Sequence, residues 1–106
     1  MTPEELRERA IEAYNRDVAK KNILTAMESR MVVNYYDGVF IVTQELIAFL
    51  NAWRNDEIYM LDAYDVPIKV NTEVLLIRCK QRWREVMNEF AEEYKEYTAV
   101  RNAKQL

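Results

Sequence analysis

Two pairs of glutamates have the spacing in this sequence that best fits a catalytic arrangement. Glu5 with Glu8, and Glu89 with Glu92, are each three positions apart, which places two carboxylates on one face of a helix. Paired carboxylates can bind Mg²⁺ and support hydrolysis. The same spacing is common on solvated helix faces, so a carboxylate- and magnesium-dependent hydrolase is only the alternative to a protein without enzymatic activity.

The remaining composition argues against most enzyme classes. Among 106 residues there is no histidine and one glycine. Histidine is the commonest general base and belongs to the usual serine and cysteine triads, and phosphate-binding loops need several glycines. Asp62 and Asp65 flank a predicted turn and could bind a cation, although aspartates are common in turns. We therefore predict no catalytic residue, no cofactor and no metal site.

A basic segment provides the main alternative function, nucleic-acid binding. The stretch "RCKQRWR" contains Arg78, Lys80, Arg82 and Arg84 together with Trp83. Cations neutralise phosphates and aromatic rings stack on bases. The tyrosines of the predicted strands that could stack on bases are Tyr35, Tyr36, Tyr59 and Tyr64. In the other interpretation, Trp83 and half of these tyrosines belong to the core, and the arginines pair with nearby glutamates. The net charge of −3 weakly favours this second interpretation, because nucleic-acid binding depends on positive charge.

The last helix that the sequence predicts carries a long apolar stripe. Its members, three or four positions apart, are Leu76, Cys79, Trp83, Val86, Phe90, Tyr94, Tyr97 and Val100. The stripe runs for about 36 Å at 1.5 Å per residue, which is longer than a single domain of this size covers by itself. We therefore expect part of the stripe to contact another partner.

The charges of the same helix favour a second copy as that partner. Basic residues fill its first half and glutamates its second half, the reverse of the order that the helix macrodipole favours. Two antiparallel copies paired about a centre near Glu85 would bring Arg78 opposite Glu92. Arg82 would then lie near Glu89. The predicted self-association residues of this homodimer are Leu76, Arg78, Arg82, Trp83, Val86, Glu89, Phe90, Glu92 and Tyr94. The alternative is an amphipathic helix on its own sheet with a solvated charged face.

Local signals define the first half of the chain. Thr2, Pro3 and Glu5 have the positions of a capping box with proline in the first turn, and predict a helix from residue 3 to about residue 30. Asp37-Gly38 between two β-branched and aromatic runs predicts a hairpin with a positive φ at Gly38.

A repeat links the two halves of the chain. "YDGVFIVTQELI" begins at Tyr36 and "YDVPIKVNTEVL" at Tyr64; each ends with a valine, a capping residue (Thr43 or Asn71) and the start of a helix. Both a duplication and two independent junctions that obey the same rules explain the match. Val66-Pro67 in the second copy excludes the same turn and places that strand at an edge or a strand start.

The predicted architecture is one α+β domain over residues 1–106, in which helices cover a small antiparallel sheet made from two hairpin-like strand pairs. The predicted elements are a helix at 3–30, strands near 31–36 and 39–42, a helix at 44–54, strands near 57–63 and 68–70, and a helix at 72–103.

Composition also bears on location and partners. The longest apolar run has five residues, at 46–50, far short of the roughly 20 that cross a bilayer, and the amino terminus lacks a secretory signal. The single cysteine, Cys79, cannot form an internal disulfide and is expected to be buried. We expect a cytoplasmic protein with no membrane contact, an unidentified protein partner and a homodimeric state.

The stretches "NYYDGVFIVTQEL" and "LDAYDVPIKVNTEVL" resemble segments of small uncharacterised proteins of tailed phages from marine cyanobacteria. The resemblance covers residues 31–90 and includes no catalytic motif. It implies a role in phage assembly or in handling a host or phage complex, and then a location in the cytoplasm of the host cell.

Overall fold

In this computed structural model, which describes residues 2–105 and the side chains of residues 2–99, three helices and two strand pairs alternate along the chain. The elements are α1 (Pro3–Arg30), β1 (Val32–Tyr35), β2 (Gly38–Ile41), α2 (Gln44–Ala52), β3 (Glu57–Leu61), β4 (Pro67–Asn71) and α3 (Thr72–Gln105). The predicted α+β class and the order of the elements are confirmed, and no observed bound differs from the predicted one by more than two residues.

The predicted caps form because each supplies an acceptor to an otherwise unpaired helix N–H. At α1, Thr2 and Glu5 make both hydrogen bonds of the capping box. Thr43 Oγ1 accepts from Leu46 N–H at 3.0 Å, and Asn71 Oδ1 accepts from Val74 N–H at 3.2 Å. These two caps turn the chain directly from a strand into a helix.

The strand pairs form two antiparallel sheets rather than one. Val33 pairs with Phe40 in the first sheet, and Ile58 with Val70 in the second. The sheets are joined by the loop after β3, where Ala63 N–H donates to Val39 O at 2.7 Å. Because a loop rather than a strand occupies this edge of β2, the two sheets do not merge.

The first hairpin turn corrects the prediction for Gly38. The turn residues are Tyr36 and Asp37, and the positive φ, 50°, belongs to Tyr36. Gly38 is the first residue of β2, and its φ is not positive. The glycine is required for packing instead, because an added Cβ there would lie 2.9 Å from Ile68 Cγ1 of the other hairpin.

The second turn differs from the first, as predicted. Five residues connect β3 to β4, Asp65 has the positive φ of 61°, and Pro67 is the first residue of its strand. Proline has no N–H to donate to the strand ladder. It is tolerated at the first residue of a strand, where that donor is not needed.

The core lies where both hairpins, α2 and the first half of α3 meet, and we call this part of the protein the head (residues 31–86). Its buried apolar residues are Met31, Val33, Tyr35, Phe40, Val42, Leu50, Val70, Leu75, Leu76, Cys79 and Val86. The two valines of the sequence repeat, Val42 and Val70, are both among them. Cys79 is fully buried, as predicted.

The two long helices leave the head together as an antiparallel pair, which we call the stalk (α1 and the part of α3 after residue 86). Arg30 contacts Glu89 and Glu93 near the head, and Tyr97 O–H donates to Arg16 O at 3.2 Å further out. The molecule measures 65 × 24 × 21 Å, and its radius of gyration is 19.9 Å. About 13 Å is expected for a compact domain of this length, so the stalk makes the protein strongly elongated.

Candidate functional site

The charge order of α3 is explained within one chain. Arg30 forms an ion pair with Glu89 and a second one with Glu93 at 3.5 Å, and both glutamates belong to the acidic half of α3. Residues 16–30 of α1, which run antiparallel to this half, carry four basic and two acidic side chains. α1 therefore supplies the antiparallel opposite charge that the sequence led us to expect from a second copy of α3.

Two of the predicted self-association residues are unavailable to a second chain. Leu76 and Val86 are 2% and 3% exposed because they pack in the core of their own head, which corrects the prediction that they form an intermolecular contact. Trp83 and Phe90 are half-buried, and Trp83 packs against the same core. Tyr94 is exposed. Val100 lies outside the residues whose side chains the structure describes.

The basic segment does not form one surface, because its four cations lie on opposite sides of the buried face of α3. Arg78 and Arg82 face β1: Arg78 Nη1 donates to Asn34 O at 3.1 Å, and Arg82 lies 3.7 Å from Glu85. Lys80 and Arg84 lie on the other side, toward α2. The predicted nucleic-acid surface is therefore divided into two pairs about 160° apart around the helix axis.

The tyrosines proposed for base stacking are also divided. Tyr35 is 4% exposed, which corrects its assignment as a stacking residue; its hydroxyl accepts from Asn71 N–H at 3.0 Å, and its ring lies under the Arg78 guanidinium at 5.7 Å. Tyr36, Tyr59 and Tyr64 are exposed. Nucleic-acid binding stays a prediction. No single face of the described part of the chain presents all of the side chains that were predicted to bind nucleic acid.

An exposed apolar stripe on α1 is the main surface that the sequence did not single out. It consists of Ile11, Tyr14 and Val18, which are exposed and three or four positions apart, and α1 has no buried residue within the described part of the chain. The partly buried residues on the α3 side, such as Ala19, Ile23 and Met27, lie roughly 150° around the helix from Ile11, Tyr14 and Val18.

A second surface feature is the groove between α2 and α3, with a volume of about 410 Å³. The lining residues are Gln44, Ile47, Ala48, Asn51, Lys80, Trp83 and Arg84. Ile47, Ala48 and Trp83 supply apolar surface, and the two cations lie at the α3 side. Among the side chains of residues 2–99, no carboxylate lies within ion-pair distance of Lys80 or Arg84. The groove therefore combines an apolar surface with uncompensated positive charge.

Comparisons with protein families, curated proteins and solved structures give no match. Function is therefore inferred from the residues and their geometry.

Three of the four glutamates weighed for metal-dependent chemistry have other contacts. Glu5 belongs to the cap of α1, Glu89 pairs with Arg30, and Glu92 lies 3.4 Å from Lys95. Within residues 2–99, no group of three acidic or cysteine side chains is close enough to hold a metal ion. The described part of the chain also contains no helix long and apolar enough to cross a membrane.

Asp62 has a structural role in its loop. Oδ1 accepts from the N–H groups of Val66 and Tyr64 at 3.0 and 2.9 Å, and Oδ2 accepts from Val39 N–H at 3.2 Å. These bonds, above all the one from Val66, stabilise the charged form and lower the pKa of Asp62 below its usual value, against the opposing effect of burial. The carboxylate holds the loop against β2.

Proposed function

We propose that this protein is a non-catalytic assembly module that forms a homodimer through its helical stalk. The exposed apolar stripe of α1 carries the proposal. Ile11 and Tyr14 are 53% and 69% exposed, and they face away from the only helix that packs beside α1 in the described chain. A pair of helices buries one side of each, whereas helical bundles bury apolar stripes among four helices. A contiguous exposed apolar stripe is typical of an interaction surface.

The charges of α1 favour a second copy as the partner. Residues 2–15 carry four acidic and two basic side chains, and residues 16–30 carry four basic and two acidic ones. Two antiparallel stalks bring the acidic part of each α1 toward basic residues of the other chain, in a two-fold contact that uses the same surfaces twice.

The test is light scattering on a size-exclusion column over a range of micromolar concentrations. The wild-type protein is expected to have twice the mass of one chain. Ile11→Lys combined with Tyr14→Lys is expected to give a monomer, because each substitution places a cation in the apolar contact. A wild-type monomer at the highest concentration would refute the proposal.

The matched control is Tyr59→Lys combined with Leu61→Lys on β3, which changes two apolar side chains of the head that are at least as exposed on average. It is expected to keep the dimer mass. Dissociation by the head variant, with an intact dimer for the stalk variant, would place the interface on the head. A mixed-sequence oligonucleotide that co-elutes at low salt and is released at high salt would support the nucleic-acid alternative instead.

The proposal includes a cytoplasmic location, in the host cell if the chain is phage-encoded, and a role in phage assembly as the sequence resemblance implies. A buried thiol without a disulfide partner fits a reducing compartment. The homodimer then presents two heads to further protein partners.

A further inference from the structure

The groove between α2 and α3 continues along α3 as a single face. Lys80, Arg84, Met87, Ala91 and Tyr94 are three or four positions apart, and so lie above one another on the helix. Met87 packs partly against the core, and Tyr94 is 40% exposed. This face, which we call the α3 track, begins with two cations at the head and becomes apolar along the stalk.

The α1 stripe has the complementary order. Glu4 and Glu8 are exposed and one turn apart near the amino end, and Ile11 and Val18 follow on the same side of the helix within roughly 80° of arc. This face therefore begins with two anions and continues toward the head with the apolar Ile11 and Val18 and, between them, the amide of Asn15. Its charged end has the opposite sign from the charged end of the α3 track.

A constant step relates the two faces. The same 76 positions separate Glu4 from Lys80, Glu8 from Arg84, Ile11 from Met87 and Val18 from Tyr94. Every α-helix rises by the same distance per residue. Because the residue numbers in all four pairs differ by the same 76, two parallel helices can bring the four pairs together at once. Opposite charges then meet at one end and apolar side chains along the rest.

Within one chain α1 and α3 are antiparallel, so α1 cannot lie on its own α3 track in this direction. We propose that the acidic first half of α1 from a second copy occupies the α2–α3 groove and the α3 track, with Glu4 of one copy at Lys80 and Glu8 at Arg84 of the other. The inference rests on the proposed dimer and names the surface that receives the α1 stripe.

Two-fold symmetry makes the exchange reciprocal. When the stalks of two copies lie side by side in opposite directions, each α1 runs parallel to the α3 of the other copy, and each amino end reaches the other head. Arg7, which lies between the two glutamates, is placed by the same step opposite Trp83, whose indole ring can accept a cation. The arrangement leaves the ion pair between Arg30 and Glu89 intact. Antiparallel pairing of two α3 helices would instead use Glu89 to bind Arg82, and would break that ion pair.

Charge reversal tests the assignment in the full-length protein. Lys80→Glu with Arg84→Glu, and separately Glu4→Lys with Glu8→Lys, are each expected to raise the dimer dissociation constant by about 10- to 100-fold, because like charges then face each other. The matched control, Arg78→Glu with Arg82→Glu, has the same spacing on the opposite flank of α3 and is expected to leave the constant within about twofold. Thermal unfolding checks that each variant is folded.

Combination of the two reversals is the decisive measurement. The four-substitution protein, and an equimolar mixture of the two double variants, are both expected to recover the wild-type dissociation constant, since opposite charges meet again. A loss of stability alone does not produce this recovery. Failure of either combination to recover would overturn the assignment.

The control variant distinguishes the groove contact from the homodimer on which it rests. Dissociation by Arg78→Glu with Arg82→Glu alone would assign the contact to two α3 helices, and would refute the groove while the homodimer stands. A wild-type protein that is monomeric at all concentrations would refute the homodimer and the groove together. An intact dimer in both groove and α1 variants would refute only the groove.

Discussion

At the residue scale, buried or half-buried polar groups of the head act as connectors between elements. Asp62 accepts three backbone N–H groups, one of them from the neighbouring hairpin, and Tyr35 accepts from the residue that caps α3. Each acceptor satisfies donors that the strand ladders leave unpaired, which is the general requirement for polar groups away from water. These residues explain why the head can be small and still hold two separate sheets.

Asp62 gives a pH-dependent prediction. Its pKa is lower in the folded protein than in the unfolded chain, so its stabilisation is fully present above about pH 4 and is lost as the pH falls through the folded pKa. Asp62→Asn replaces one acceptor oxygen by a donor and should lower the urea midpoint at pH 7. The difference from wild type should shrink at pH 3, because the carboxylate in the unfolded wild-type chain then binds a proton that the folded protein resists.

The control is Asp65→Asn in the same loop, a residue whose positive φ asparagine also tolerates. It should leave the urea midpoint unchanged at both pH 7 and pH 3. A midpoint difference for Asp62→Asn that is equal at pH 7 and pH 3, at fixed protein concentration, would contradict the charged hydrogen-bonded role of Asp62.

At the element scale, polar side chains at the start of α3 and at the end of α1 add to the apolar contacts that hold the long helices to the head. α3 begins at Thr72, which is fully buried and whose hydroxyl bonds both the end of α2 and the loop that follows it. α1 ends at Arg30, whose guanidinium pairs with α3. These two polar contacts, together with the buried face of α3, position the stalk relative to the head.

The buried hydroxyl of Thr72 links the start of α3 to the segment that follows α2. Thr72 Oγ1 accepts from Asp56 N–H at 3.0 Å and donates to Trp53 O. Thr72→Val keeps the shape but removes the hydroxyl, and should lower the free energy of unfolding by about 1–3 kcal/mol. Hydrogen exchange at the Asp56 amide should become faster.

Thr72→Ser, which keeps the hydroxyl and loses a buried methyl group, separates the two contributions. It should be destabilised by about 1 kcal/mol without faster exchange at Asp56. Equal exchange rates in Thr72→Val and in wild type would show that the hydroxyl does not protect this amide.

At the scale of the whole molecule, elongation is the dominant property. A chain of 106 residues that extends over 65 Å leaves much of its helical surface outside the core. The apolar part of that surface, on the first half of α1 and along the α3 track, is the part that the proposed second copy would remove from water.

Small-angle X-ray scattering tests the arrangement of the two copies. Stalks that overlap over the roughly 40 Å of α1 give a dimer with a maximum dimension of about 90 Å. An end-to-end contact between stalk tips would instead approach twice the 65 Å length of one chain. A maximum dimension near that larger value would refute the reciprocal exchange of α1.

The sequence by itself determined the α+β class, the order of the elements and the three helix caps, because these depend on periodicity and on hydrogen bonds between residues close in the chain. Only the tertiary structure decided that Gly38 is needed for contact with Ile68, that α1 neutralises the acidic half of α3, and that Leu76 and Val86 belong to the core. Each of these depends on a contact between residues distant in the chain. Charge order and apolar spacing indicate that a helix needs a partner, but the path of the whole chain determines which helix that partner is.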